Sequence, residues 1–288
     1  MGKLGLTAVI LAKNEEKNLP RVLKSISWVD EIVIVDDEST DGTVEIAKKA
    51  QATVYQRELD DFCSQRNFAL TKVKTPWVLF IDADEEITPE LAEEIKQAVK
   101  TDKFDGYRFP RKNIIFGKWI EHSGWYPDWQ LHLFKIAKGK YVEKVHEQVV
   151  LDGKVGELSK VLVHYNYQSI SQYLEKMFRY TTLEVENQLT LGYKFAWSDL
   201  IKKPLSEFLR RFFAEQGFKD GVHGLALSLL QAFSELVVYL KIWEKEGFRP
   251  QETKEVFEEL EKSTEEISFW LKKQEKNPLK KVLRKLTR

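Results

Sequence analysis

Hydrophobic and polar residues follow two different spacings along the first hundred residues. Short apolar runs rich in β-branched residues predict buried strands, at residues 6–11, 31–36, 52–56 and 77–81. The segments between them show helical spacing instead, as in Leu19, Val22, Leu23 and Ile26. Strands that alternate with helices predict an α/β fold with a mostly parallel sheet that is covered on both faces.

The later part of the chain has another pattern. Residues 106–168 are rich in aromatic residues, Arg and His, and predict short strands and long loops with a last strand at 161–167. Helices are predicted after Ser169, at residues 170–190, 204–216, 221–246 and 252–274. We therefore expect a first domain at 1–168, made of the halves 1–105 and 106–168, followed by an all-helical extension at 169–288.

The composition describes a folded globular protein of 288 residues, 43% of them hydrophobic. The formal net charge is zero, so we expect no nucleic-acid partner. The single cysteine, Cys63, excludes an intramolecular disulfide and fits a reducing compartment. The N-terminus lacks the features of a secretory signal, and we expect no membrane span, so a cytoplasmic location is favoured.

The zero net charge hides an uneven distribution. Residues 270–288 contain eight Lys/Arg and one Glu, which leaves 37 basic and 44 acidic residues in the rest of the chain. One helical face of this segment is apolar, with Leu279, Val282, Leu283 and Leu286. It predicts a basic amphipathic helix on an anionic membrane surface, or a solvated terminal helix. Residues 225–243 are mostly apolar and are expected to be buried in the protein, with partial insertion into a bilayer as the alternative.

Polar side chains follow three predicted strands at their carboxyl ends, in the pairs Asn14 and Glu15, Asp36 and Asp37, and Asp82 and Asp84. These strand ends meet at one edge of a parallel sheet, where such folds bind ligands. Acids clustered there are costly unless a cation neutralises them, and two carboxylates one residue apart suit a divalent ion with a diphosphate. For any single pair, a solvated turn is the alternative.

Two further acids, Glu85 and Glu86, follow the last of these pairs. Thr88 and Pro89 come next and have the pattern of an N-cap residue and a first helical residue. We interpret Glu85 and Glu86 as acids that favour the N-terminus of the coming helix.

Four segments together resemble the inverting glycosyltransferases of family 2, which have the GT-A fold: VILAKNEEKNLPRVLKSI, DEIVIVDDESTDGTVEIA, SQRNFAL and WVLFIDADEE. This resemblance covers about residues 5–168. A narrower similarity, to the β-glucosyltransferases of the lipopolysaccharide core, rests on YRFPRKNIIFGKWIEHSGWYPDWQLHLF, KVHEQVV and GFKDGVHG. It implies transfer of a hexose, with glucose from UDP-glucose as the first expectation, to a lipid-linked saccharide. In the GT-A domain, 1–105 would be the nucleotide-binding half and 106–168 the acceptor half.

The resemblance also implies roles for individual residues. The nucleotide would be held by Leu11, Ala12, Asn14 and Glu15, with Asp36 reading the uracil edge and Arg66 near the base or phosphate. Asp84 would be the closer ligand of Mg²⁺ or Mn²⁺, and Asp82 would contact the ribose or a metal-bound water. His146 would be a third metal ligand or a phosphate contact, or a histidine hydrogen-bonded within its loop.

An inverting transfer needs a general base that faces the acceptor hydroxyl. Many relatives use an acid in a Glu-Asp or Asp-Asp pair, and this sequence departs from that pattern. The candidates are Asp128, in WYPDWQ, and Glu147, in VHEQ. Asp128 is favoured slightly because its Trp-rich surroundings resemble a sugar-binding stretch.

Other functions fit parts of the sequence. A glycosyltransferase acting on a protein, peptide or other soluble acceptor would share the nucleotide half. A catalytically silent nucleotide-sugar or membrane scaffold would not need the intact acidic motifs. A sugar nucleotidyltransferase is set aside, because the loop after the first predicted strand reads AKNEEKN and contains no glycine.

Overall fold

The structure, a computed structural model, describes residues 3–142, 148–253 and 255–275. The chain divides into two compact units. The first comprises Met1–Ile115 and Tyr126–Asn166, and the second comprises Phe116–Trp125 and Tyr167–Arg288. Residues 116–125, which fall inside the expected first domain, thus cluster with the helical part of the chain.

Strands and helices alternate through the first part of the chain. The strands are β1 (Leu6–Ala12), β2 (Glu31–Asp36), β3 (Thr53–Gln56), β4 (Trp77–Phe80), β5 (Glu85–Ile87), β6 (Gly106–Ile115), β7 (Lys118–Trp119), β8 (Asp128–Lys135), β9 (Gly139–Val142), β10 (Gln148–Leu151), β11 (Val155–Glu157) and β12 (Leu162–Tyr167). The helices are α1 (Leu19–Ser25), α2 (Thr43–Lys49), α3 (Phe62–Leu70) and α4 (Pro89–Thr101). The four predicted strands, the helices predicted between them and the helix predicted to start at Pro89 are confirmed.

The main sheet has the strand order β3-β2-β1-β4-β8-β6-β12-β5, and β11 joins it beside β6. The first four strands in this order run parallel to one another, whereas β8 is antiparallel to both β4 and β6, and β12 is antiparallel to β5. The sheet is therefore mixed, with a parallel half that carries the strand-end motifs. β9 and β10 form a separate antiparallel pair.

The parallel strands are apolar along their whole length because both faces of the sheet are covered. On one face, Ile10 of β1 belongs to a buried cluster with Leu19 and Val22 of α1. On the other face, Val9 belongs to a second cluster with Phe134 of β8. This packing holds the carboxyl ends of β1, β2 and β4 at one edge of the sheet.

The start of α4 follows the sequence signal. Thr88 is the N-cap residue, and its hydroxyl accepts a hydrogen bond from the Leu91 N–H at 3.2 Å. Pro89 occupies the first turn, where its missing N–H costs nothing.

The second unit is mainly helical. Its longer elements are α5 (Ile170–Thr190), α6 (Asp199–Leu209), α7 (Val222–Lys245) and α8 (Val256–Glu275), with a π-helical turn at Arg210–Ala214 and a 3₁₀ turn at Gly217–Asp220. The prediction of one helix at 204–216 is wrong at both ends. It placed Pro204 in the first turn, but α6 begins at Asp199, whose carboxylate accepts the Ala196 N–H at 3.0 Å, and Pro204 lies inside the helix.

α7 is long and apolar enough to cross a membrane, judged by length and composition, and no other helix in the described parts of the chain meets that test. Its most apolar 18-residue window has a mean hydropathy of 1.6, and 33% of that window is buried. The expectation that this segment is buried in the protein therefore holds for one side of the helix only. The basic segment at 276–288 lies outside the described residues.

Candidate active site

Asp36 ends β2 with its side chain fully buried. Its Oδ2 accepts the Ser39 N–H at 3.1 Å, while its Oδ1 has no hydrogen-bond partner among the residues that the structure describes. A buried carboxylate oxygen without a partner is costly, so this atom is available to a donor on a ligand. A pocket of about 320 Å³ lies at the same edge of the sheet, lined by Glu38, Ser39, Gln56, Arg57 and Glu58.

Asn14 ties the end of β1 to the loop that follows Asp36. It adopts a left-handed backbone conformation with φ of 57°, its amide oxygen accepts the Thr40 N–H at 2.8 Å, and its N–H donates to Ser39 Oγ at 2.9 Å. The Glu15 N–H donates to Thr43 Oγ1 at 2.7 Å. These contacts show that Asn14 and Glu15 shape the loop beside Asp36.

Leu11 and Ala12 bring β1 to the same edge. They pair with Val35 and Asp36 across the parallel ladder, and the Ala12 carbonyl accepts the Asp37 N–H at 2.8 Å. The backbone of β1 therefore lies directly beside the buried carboxylate of Asp36.

Asp82 follows β4 and is paired with Arg66 of α3, whose Nη2 lies 3.1 Å from Asp82 Oδ1. Burial raises the pKa of Asp82, but the neighbouring Arg66 guanidinium and further positive groups outweigh it and hold that pKa well below its usual range. Asp82 is thus a carboxylate at neutral pH, and Arg66 lies against the acidic motif.

Asp84 and His164 approach each other, with Asp84 Oδ2 3.5 Å from His164 Nε2. His164 lies on β12, and the next residue along, Tyr165, donates its N–H to the Asp84 carbonyl at 2.9 Å. On the far side of the ring, His164 Nδ1 lies 2.8 Å from Asn113 Oδ1. Because an amide oxygen only accepts, Nδ1 carries a proton, and Nε2 is the ring nitrogen that faces Asp84, where it can hold a second proton or offer a lone pair to a cation.

The orientation of Asn113 follows from its other partner. Its Nδ2 lies 3.4 Å from Asp128 Oδ2, and a carboxylate oxygen of Asp128 only accepts. The chain Asp128–Asn113–His164 therefore sets the tautomer of the imidazole that faces Asp84.

Glu85 is fully buried, and the interpretation of this residue as a helix-start acid is wrong. It lies in β5, its Oε2 accepts the Asp82 N–H at 2.8 Å, and its Oε1 lies 3.5 Å from Arg111 Nη1. Burial, together with the charge of Asp82, raises the pKa of Glu85 to about 7. Glu85 therefore fixes the turn at residues 82–85, which we call the acidic turn, through the Asp82 N–H.

His132 Nε2 lies 3.9 Å from Glu85 Oε1, the same oxygen that faces Arg111. Its Nδ1 lies 2.9 Å from the Phe80 carbonyl, so Nδ1 carries the proton. Burial and the nearby Arg111 lower the pKa of His132 to about 4, which makes it a neutral imidazole at physiological pH.

Asp128 forms a two-point ion pair with Arg111, at 2.8 Å from Nε and 2.7 Å from Nη2, both to Oδ2. Its Oδ1 accepts from Gln130 Nε2 at 2.7 Å. Burial raises the pKa of Asp128, but Arg111 and the hydrogen bonds outweigh it and hold that pKa below its usual range. Such a carboxylate is a weak base.

The sequence matches known proteins over the same part of the chain. Residues 7–149 match the family described as Glycosyl transferase family 2. The chain belongs to this glycosyltransferase family. The strand-end acids thus lie in a glycosyltransferase domain, and the expected GT-A fold is confirmed.

Sequence similarity to individual glycosyltransferases extends beyond residues 7–149. The glycosyltransferase is 28% identical over 256 residues to the lipopolysaccharide core biosynthesis glycosyltransferase LpsC of Rhizobium meliloti, covering 86% of this chain and 95% of LpsC. It is 29% identical over 253 residues to an uncharacterized glycosyltransferase of Rickettsia typhi, covering 83% of this chain and 87% of the relative. A crystal structure of S. aureus TarS 1–349 in complex with UDP aligns at 16% identity with a TM-score of 0.43, covering 83% of this chain and 92% of that fragment.

The donor atoms at Asp84 and His164 fit a divalent cation. Two ligands on one octahedral ion at about 2.1 Å lie about 3 Å apart, close to the 3.5 Å between Asp84 Oδ2 and His164 Nε2. Within residues 3–142, 148–253 and 255–275, no group of three or more His, Cys, Asp or Glu is arranged to hold a metal. Among the described residues, Asp84 and His164 would hold such a cation, and phosphate oxygens and water would be suitable further ligands.

Two expected site residues of the glycosyltransferase, His146 and Glu147, lie outside the described residues. The geometry adds others that sequence reasoning missed: Glu85, Asn113, His132 and His164. Asn113 and His164 come from β6 and β12, far from the Asp-x-Asp motif in sequence. In β12, LVHYNY, the available signal was a histidine within a short strand, whereas the Arg and Lys residues of β6, GYRFPRKNII, left Asn113 without a distinct signal.

Proposed function

We propose that this glycosyltransferase is a metal-dependent, inverting enzyme that transfers a hexose, with glucose from UDP-glucose as the first candidate, to a lipid-linked saccharide such as lipopolysaccharide core. The observation that carries the proposal is the approach of two candidate metal ligands, Asp84 and His164, beside an ionised Asp82 at the carboxyl edge of the sheet. The lipopolysaccharide core acceptor is supported by the name of the relative LpsC.

The uridine would bind beside Asp36. The bare, buried Oδ1 of Asp36 suits the N3–H of uracil, which is a single donor on the base edge. The base would enter the pocket lined by Ser39, Gln56 and Arg57, and Ser39 is hydrogen-bonded to that carboxylate. Leu11 and Ala12, with the loop shaped by Asn14 and Glu15, would form the wall of the nucleotide site.

The diphosphate would lie at the acidic turn. Asp84 and His164 would hold Mg²⁺ or Mn²⁺, which when bound neutralises charge on the departing UDP. Asp82 is kept ionised by Arg66 and would accept from the ribose hydroxyls or from water. Glu85 holds the Asp82 N–H and thereby keeps the turn in place.

Glu147 is the better candidate for the general base. Asp128 has an Arg111 guanidinium and the Gln130 amide on its oxygens, so little basicity is left for the acceptor hydroxyl. Its contacts suit a different role, which is to hold Asn113 and, through it, the tautomer of His164. His146, next to Glu147, remains a candidate phosphate contact or further ligand.

An acceptor embedded in lipid requires the enzyme to work at a membrane. The segment 276–288 contains six Lys/Arg and no Asp or Glu, which suits an anionic surface. We infer a cytoplasmic protein that binds the inner face of the cytoplasmic membrane peripherally.

The proposal is tested by measuring UDP release from UDP-glucose with lipopolysaccharide core acceptors, with and without Mn²⁺. Asp84→Asn should lower the metal-dependent rate about a hundredfold or more, because it removes the charged member of the proposed ligand pair. Asp152→Asn, on a side chain 95% exposed, is the matched control and should leave the rate unchanged. Full activity in Asp84→Asn would show that the acidic turn is not the metal site. Transfer to a soluble peptide, with none to the lipopolysaccharide core, would show that the acceptor is not a lipid-linked saccharide.

A further inference from the structure

One face of α7 carries exposed apolar side chains, which we call the α7 stripe: Val222, Leu225, Leu229, Phe233 and Leu240. Their exposed fractions range from 37% at Leu240 to 80% at Val222. The spacings of three, four, four and seven residues place them on one side of a helix. At 1.5 Å per residue the stripe runs for about 27 Å.

The opposite side of α7 packs within the second unit. Leu227, Ser228, Val238 and Ile242 are buried. A core helix of a water-soluble domain is buried over most of its surface, whereas α7 has 33% of its apolar window buried. The stripe is therefore apolar surface that the described part of the chain leaves in contact with solvent.

The stripe carries no charge along its length. From Val222 to Leu240, Glu235 is the one Asp, Glu, Lys or Arg, and it does not belong to the stripe. The positions that border the stripe are also apolar, namely Ala226, Leu230 and Leu236. A helix-to-helix dimer seam is bordered by charged residues that set partner and register, and such a border is missing from this sequence.

The chain continues beyond α8 with a segment of opposite character. Residues 276–288 contain six Lys/Arg and no acidic residue. A bilayer with anionic lipids accepts both features, because its interior takes apolar side chains and its headgroups attract cations.

We propose that the α7 stripe is a docking surface that inserts into the interface of an anionic phospholipid bilayer. The inference rests on the proposed lipid-linked acceptor, and it assigns membrane contact to a defined helix face in addition to the basic segment. The helix lies in the plane of the interface, because its other face is packed on the protein and cannot meet lipid.

Co-sedimentation with phosphatidylcholine vesicles, with and without phosphatidylglycerol, tests the proposal on the full chain. The double variant Leu229→Gln/Phe233→Gln removes apolar area without adding charge, at side chains 53% and 43% exposed. Binding to the mixed vesicles should fall about tenfold or more, given the size of two apolar side chains. Leu191→Gln, at a side chain 75% exposed at the end of α5, is the matched control and should bind within twofold of the wild type.

A fluorescent label gives a second readout. Cys63 is the single cysteine, so a Cys63→Ser background accepts one new cysteine for an environment-sensitive dye. The dye at Leu229→Cys should shift to the blue with mixed vesicles, and the dye at Leu191→Cys should not.

Three results would overturn the docking surface. The first is wild-type vesicle binding by the double variant. The second is loss of binding on removal of 276–288 while the dye at position 229 never shifts. The third is a wild-type dimer in sedimentation equilibrium that the double variant lacks, which would make the stripe an interface between copies.

UDP release with a water-soluble acceptor separates this inference from the proposed function, since that rate should be equal in the double variant and the wild type. If neither protein released UDP, the proposed transfer reaction would be refuted, and the proposal of a membrane-docking surface would still be tested by vesicle binding.

Discussion

Asp84 and His164 direct a carboxylate oxygen and an imidazole nitrogen at each other across 3.5 Å. The backbone pairing of His164 with Glu85, between β12 and β5, brings the ring beside the acidic turn. Because His164 Nδ1 donates to Asn113, the other ring nitrogen faces the Asp84 carboxylate, and a proton or a metal ion can lie between the two atoms. The pair is built to hold a positive charge.

Replacing His164 by Ala should weaken metal binding. The variant removes one of two nearby protein ligands, so we expect the Mn²⁺ concentration for half-maximal UDP release to rise about tenfold or more. Electron paramagnetic resonance of free Mn²⁺ measures the same affinity without turnover. Asn113→Ala should show a smaller rise, because His164 is still present but its imidazole loses the hydrogen bond that orients it. Unchanged Mn²⁺ affinity in His164→Ala would remove His164 from the site.

Replacing Asp36 by Asn should change base preference. The amide oxygen of the new side chain would keep the hydrogen bond from the Ser39 N–H, and its NH₂ group would then occupy the bare position of Oδ1. A donor there opposes the N3–H of uracil and suits N3 of cytosine, which is an acceptor.

Calorimetry with UDP and CDP in the presence of Mn²⁺ measures this change. We expect UDP affinity to fall about tenfold or more, and the ratio of UDP to CDP affinity to fall further. Asp152→Asn serves as the control with unchanged ratio. Equal weakening of both nucleotides would mean that Asp36 does not read the base.

The sequence predicted the parallel half of the sheet well because its signals are local. β1, β2 and β4 are buried on both faces, so each appears as a continuous apolar run, and the end of β4 is marked by acids. The Thr88 cap of α4 is likewise a contact between neighbours in sequence. Where the determinant is local, pattern and structure agree.

The missed parts depend on distant contacts. β5 has three residues, and its partner β12 lies about 77 positions later, so no local pattern marks Glu85 as buried. What allows its burial is Arg111, which comes from β6. His164 was missed for the same reason, since its role depends on strand register and not on spacing from the acidic motif.

Glu85 should be a large contributor to stability. Glu85→Ala would leave Arg111 short of a partner and the Asp82 N–H unsatisfied, in a buried site. Removing one member of a buried pair costs about 3–5 kcal/mol. Glu85→Gln keeps an acceptor for Asp82 and should cost less, about 1–3 kcal/mol. Urea unfolding measures both values, and Glu90→Ala, on an exposed residue in the first turn of α4, is the control. A Glu85→Ala protein as stable as the control would contradict the buried network.

Variants of Asp128 and Glu147 should show which of the two carboxylates is the general base. Glu147→Gln should lower kcat about 10²–10⁴-fold, the usual contribution of a general base, with UDP affinity within twofold of the wild type. Asp128→Asn should lower kcat less than tenfold, because its carboxylate is already engaged by Arg111, while metal affinity falls through Asn113 and His164. Steady-state transfer assays and UDP calorimetry on the two variants distinguish these effects. A Glu147→Gln enzyme that transfers normally, beside an inactive Asp128→Asn enzyme that binds UDP and Mn²⁺ normally, would return the role of base to Asp128.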